Sequence, residues 1–171
     1  MTKTSFITFA AVSMNKDEKT NQISIDRFDI NAMARNIVAV NEFTGPPQDA
    51  PDVTGLVHFD PDTGLRPIMT TASIAALAEE VSEHFDGNEL ISIKATGKSD
   101  AGVVTEYMVN VDPTLIVAVN NLDKNTQQVS DEVRTIVYFE PKCGMQPILT
   151  GCTCEFVMDL VDQYHVWWGT G

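Results

Sequence analysis

Short apolar, β-branched runs alternate with turns along this chain, and one such pattern is written twice. Leu56-Val57-His58-Phe59 runs into Asp60-Pro61-Asp62-Thr63-Gly64 and returns through Leu65 to Thr70. Ile136-Val137-Tyr138-Phe139 runs into Glu140-Pro141-Lys142-Cys143-Gly144 and returns through Met145 to Thr150. Each reads as a hairpin. The runs have strand character, proline pre-sets φ for the first turn position, and glycine accepts the positive φ that closes the loop. Pro67 and Pro147 cannot donate to a ladder, so the returning strands are expected at a sheet edge or a bulge.

The duplication extends outward. Ile37-Val-Ala-Val-Asn41 recurs as Ile116-Val-Ala-Val-Asn120, 79 residues later, and Ile25 to Asn31 falls on Val104 to Asn110. Pro67-Ile68 recurs as Pro147-Ile148, 80 residues later, so the second copy has gained one residue between Asn120 and Arg134. The N-terminal run Phe6 to Val12 corresponds to Leu90 to Lys94, which argues for a first strand rather than a signal peptide. In the first helix Ile74, Leu77, Ala78, Val81 and Phe85 share one face, with Glu79, Glu80 and Glu83 outward. Ser73 is the expected N-cap, and Asp86-Gly87-Asn88 the stop. Cys154, Val157, Met158 and Val161 take the same stations after Thr153.

The pattern predicts an α+β protein of two tandem pseudo-symmetric units, each an antiparallel β-rich sheet with a C-terminal helix. The units span residues 1–86 and 87–171, the second carrying an aromatic tail. A unit of this size has a marginal core alone. The two are expected to pack as one globule across a pseudo-two-fold axis, as a symmetric dimer would.

Charge narrows the partners. Eleven basic against 24 acidic residues leave a net charge of −13. The basic residues are scattered singly, which argues against nucleic acid and against an anionic membrane. No apolar run reaches the ~20 residues that cross a bilayer as a helix. The three cysteines, an odd number, fit reduced thiols.

The order of strand, Asp-Pro turn, Ile-Val-Ala-Val strand, hairpin and Ser/Thr-capped helix resembles small FlbD-type proteins and short uncharacterised bacteriophage proteins. The residues that carry the resemblance are Asp112 to Val119, Thr135 to Phe139 and Thr153 to Val161. In the first copy they are Asn36 to Val40, Leu56 to Phe59 and Ser73 to Val81, with Met33-Ala34-Arg35 replacing the clean turn. The resemblance implies a compact β-rich unit with a terminal helix, and it implies no catalytic residue.

Four features invite chemistry. Asp60-Pro-Asp-Thr-Gly64 looks like the front of a calcium loop but lacks the distant bidentate glutamate. His58 and Asp60 alternate along a strand as metal ligands can, yet their counterparts are Tyr138 and Glu140. Cys152-Thr-Cys154, with Cys143 and His165 nearby in sequence, invites zinc, but Thr63, Ala72 and Ile74 fill the cysteine positions in the first copy. His84 and His165 fall near helix C-termini, where a partly positive imidazole meets the dipole. The sequence offers no nucleophile elbow or phosphate-cradling loop. The expectation is no catalytic, cofactor-binding or metal site.

The tail Tyr164 to Gly171 places Tyr164, Trp167 and Trp168 close to the chain end. The two tryptophans either fold back onto the core or dock on a neighbouring chain; since tryptophan is a common interface anchor, Tyr164, Trp167 and Trp168 are the candidate partner-binding residues. The functional expectation is a non-enzymatic structural or assembly protein, a homo-oligomer or part of a larger assembly. The phage resemblance implies a virion component, capsid-decorating or head–tail accessory. The alternatives are a cytoplasmic regulatory module binding a protein and, behind it, a metal-dependent enzyme.

Overall fold

The computed structural model describes residues 6–43, 45–84, 90–98, 102–122 and 133–169, with the side chains of 164–169 excepted. In its first half, β1 (Phe6–Lys16) and β2 (Ile23–Met33) form a long hairpin, and β3 (Ile37–Glu42), β4 (Gly55–Phe59) and β5 (Ile68–Thr70) precede α1 (Ile74–His84). The second half repeats this with β6 (Ile91–Lys98), β7 (Val104–Val111), β8 (Ile116–Asn121), β9 (Thr135–Phe139), β10 (Ile148–Thr150) and α2 (Cys154–Gly169). The strands form elements for the expected reason. In β1, Ile7, Phe9 and Ala11 are buried while Phe6, Thr8 and Ala10 face out, the period-2 alternation of a half-covered sheet.

The repeat holds down to single hydrogen bonds. Thr70 Oγ1 donates to the Ala10 carbonyl at 2.7 Å, and Thr150 Oγ1 donates to the Lys94 carbonyl at 2.7 Å. The Ser73 and Thr153 hydroxyls accept from the backbone of Ala76 and Phe156 at 3.3 and 3.1 Å, capping the two helices. Gly64 and Gly144 close the hairpin loops at φ of +72° and +76°, values that a side chain rarely tolerates.

Three expectations require correction. The halves do not carry a sheet each. All ten strands belong to one antiparallel sheet in the order β2-β1-β5-β4-β3-β7-β6-β10-β9-β8. The cause is direct pairing between the halves, with Ala39, Val40 and Asn41 of β3 opposite Val111, Asn110 and Val109 of β7. A pseudo-two-fold would bring like strands together. Here β3 meets β7, the counterpart of β2, so the halves are joined head to tail.

The second correction concerns Pro67 and Pro147. The strands they introduce, β5 and β10, lie inside the sheet rather than at an edge. Each strand is three residues long and begins after its proline, so the missing N–H falls outside the ladder. The third correction is that α2 continues to Gly169, so most of the segment expected as an addition beyond the core helix prolongs that helix.

Two main cores result, one per half, beside a smaller cluster of Val12, Ala50 and Val53 in the first half. Val40 and Val57 join Ile7, Phe9, Leu77 and Val81 beneath α1. Ala39 joins Ile93, Val109, Val111 and Val157 beneath α2. Val40 and Ala39 are adjacent on β3 and point to opposite faces. The helices therefore cover opposite faces of the sheet.

Candidate functional site

The turn residues with apparent metal-binding character are occupied by turn chemistry. Asp60 Oδ1 accepts from the Asp62 backbone at 2.9 Å, and Thr63 Oγ1 donates to the Asp60 carbonyl at 2.7 Å. Cys143 reproduces the second bond, its thiol donating to the Glu140 carbonyl at 2.8 Å, and burial raises its pKa. Cys154 Sγ lies 3.7 Å from Thr135 Oγ1, and all three cysteines are unpaired. Among the described residues no three His, Cys, Asp or Glu side chains group as a metal site would need, and no helix is long and apolar enough to cross a membrane. The side chains of Tyr164, Trp167 and Trp168 lie outside the described residues.

What the fold does bring together is the junction between the halves. At its centre the buried Asn110 donates its backbone N–H to Asn41 Oδ1 at 3.2 Å and its side-chain Nδ2 to the Val40 carbonyl at 2.9 Å. Ser92 Oγ donates to Asn110 Oδ1 at 2.6 Å, which turns the amide so that its N–H groups face β3. Asp112 N–H donates to the Val38 carbonyl at 2.8 Å. Asparagine is depleted from strands, and its place here follows from this bonding: it joins two backbones and leaves no buried polar atom unpaired.

Apolar contacts close the junction on both faces. On the α1 face, Leu90 of the second half packs against the first-half core. On the other face a groove of about 250 Å³ is lined by His58 and Leu56 of the first half and by Tyr107, Val109 and Met145 of the second. His58 is buried, with Nδ1 3.3 Å from the Cys143 carbonyl. Burial lowers its pKa, and the bond to the carbonyl opposes that in part. The position of His58 is thus structural: it spans the two halves.

Both strands of the junction have counterparts at the ends of the sheet. Among the described residues, β2 and β8 each pair on one side only. The counterparts of Asn110 and Asn41 are Asn31 on β2 and Asn120 on β8, and both are exposed. Thr8 Oγ1 donates to Asn31 Oδ1 at 2.6 Å, reproducing the bond that orients Asn110. The apolar residues follow suit. Met145 is 8% exposed at the junction, whereas its counterpart Leu65 is 52% exposed. Phe28, Phe6 and Met158, which correspond to Tyr107, Leu90 and Ala78, are large apolar side chains left in the open. Met158 was expected on the buried face of its helix.

The hairpins are plain in the sequence pattern, whereas this junction is missed by it. The signal was present: an asparagine within an apolar strand pattern at 31, 41, 110 and 120, kept in both copies. Comparison with protein-family models, with curated proteins and with solved structures gave no match to this chain.

Proposed function

We propose that the protein is a non-enzymatic structural subunit that works as a homo-oligomer. One observation carries the reading: the sheet is a tandem repeat whose end strands, β2 and β8, each have one unpaired side among the described residues. A long open edge invites strand addition, and proteins that stay monomeric blunt it with charge, proline or a covering segment. β8 reads Ile-Val-Ala-Val-Asn-Asn, without a charge or a proline. Exposed apolar side chains lie next to both edges, which supports an interaction surface rather than an inert one. The net charge of −13 gives copies a mutual repulsion that salt would screen. The resemblance of each unit to short bacteriophage proteins supports a place in a virion, capsid-decorating or head–tail accessory.

Sedimentation velocity of the purified protein tests the homo-oligomer. The expected result is a concentration-dependent series of species above the 18.8 kDa chain, shifted upward by added salt. A single monomeric species throughout the accessible concentration range contradicts it.

A further inference from the structure

Resting on the homo-oligomer reading, we propose how the copies join: β8 of one molecule adds antiparallel to β2 of the next, in the register of the internal β3–β7 junction. By the repeat, Ala118, Val119 and Asn120 take the places of Ala39, Val40 and Asn41. Ala32, Asn31 and Ile30 take those of Val111, Asn110 and Val109. The charged residues of β2, Asp26, Arg27 and Asp29, lie outside this three-residue register.

One half of the polar lock is already set, on β2. Asn31 Oδ1 is held by Thr8, leaving Nδ2 free to donate to the Val119 carbonyl of the neighbour, as Asn110 donates to Val40. By the repeat, Asn120 Oδ1 accepts from the backbone of the neighbour's Asn31, as Asn41 accepts from Asn110. Around this centre the exposed residues find the partners their counterparts have. Phe6, 64% exposed, meets the neighbour's α2 at Met158, as Leu90 meets α1. Phe28 and Leu65 close over Tyr138 and Ile136, as Tyr107 and Met145 close over His58 and Leu56. Surface that has no role in the isolated chain is thereby covered from both edges.

The joint is heterologous: each copy offers β8 to one neighbour and β2 to another. Such contacts form a ring when the rotation closes and a filament when it does not. Like-to-like pairing of β8 with β8 would leave Asn120 without the Asn31 amide that Thr8 orients.

A cysteine pair reads the register directly. The Asp112 bond to Val38 marks that rung as hydrogen-bonded. Ala39 and Val111 therefore form a non-hydrogen-bonded rung, whose Cα atoms lie about 4.5 Å apart, within disulfide reach. The equivalent rung between copies is Ala118 with Ala32. Under oxidation, Ala32→Cys mixed with Ala118→Cys should give a cross-linked dimer, and the double variant a ladder. Neither single variant alone should cross-link beyond the unsubstituted protein. Asn31→Asp should weaken association at least about tenfold while circular dichroism and thermal unfolding of the monomer stay unchanged.

Failure separates cleanly. Oligomers in sedimentation that cross-link through Ala118→Cys alone, or that survive Asn31→Asp unchanged, overturn this register and leave the homo-oligomer standing. A protein that remains monomeric overturns both.

Discussion

β3 and β8 carry the same five residues, Ile-Val-Ala-Val-Asn, pair with equivalent hairpins and bulge at the same place, between Ile37 and Ala39 and between Ile116 and Ala118. One strand lies in the middle of the sheet and the other at its end. Val38 is 4% exposed and Val117 is 58% exposed. Nothing intrinsic to the two strands makes this difference. It comes from the neighbour that β3 has in β7 and that β8, among the described residues, lacks. A strand sequence fit for the interior of a sheet, found unchanged at an edge, is the contrast on which the proposed assembly edge rests.

The largest effect that would break the comparison comes from one substitution made at both places. Val38→Lys puts a charge into the junction and should cost about 3 kcal/mol or more of folding stability. Val117→Lys should change monomer stability by less than about 0.5 kcal/mol while abolishing association. Denaturant unfolding beside sedimentation reads both. Equal losses of stability would mean that β8 is not an open edge.

Asn110→Ala should cost about 1–3 kcal/mol, since it removes the donor to the Val40 carbonyl and leaves Ser92 without its acceptor. Thermal or urea unfolding checks this, and Asn31→Ala under the same conditions should leave the monomer near its original stability.

Acid sharpens the comparison further. The folded pKa of His58 is lowered by burial, so folding favours the neutral ring. Its contribution is fully present above the ordinary histidine pKa of about 6.5 and is lost as pH falls through the lowered value. Stability should therefore decline on acidification through that window, as followed by urea unfolding at a series of pH values. His58→Tyr, the residue of the second half, should remove that part of the pH dependence.

The smallest effect is expected at the cysteines. Cys143→Thr, Cys152→Ala and Cys154→Val together should lower stability by less than about 1.5 kcal/mol, because Thr63 already makes the bond of Cys143 in the first half. Stoichiometric zinc in the unsubstituted protein, lost from this variant along with folding, would contradict the structural role.

Much of this molecule was legible in its sequence. The hairpins at Asp60 and Glu140, the caps at Ser73 and Thr153 and the inward residues Ile74, Leu77, Ala78 and Val81 of α1 follow from local pattern and turn chemistry. The single sheet was not legible. It depends on three residues of β3 meeting three of β7, some 70 positions away, and an apolar strand reads alike beside a partner and at an edge. For the same reason the identity of β3 and β8 could announce a repeat without saying which copy is covered. Met158, 44% exposed, departs from its pattern because helical spacing marks an apolar face without saying how much of it the sheet covers.

Hydrogen exchange, measured by mass spectrometry across a dilution series, tests most directly whether β8 is an assembly edge. The outward amides of residues 116–121 should exchange rapidly in the dilute monomer and approach the protection of residues 37–42 as concentration rises. Residues 30–33 of β2 should become protected in parallel. If residues 116–121 exchange rapidly at every concentration while larger species form, the copies join elsewhere and the account fails.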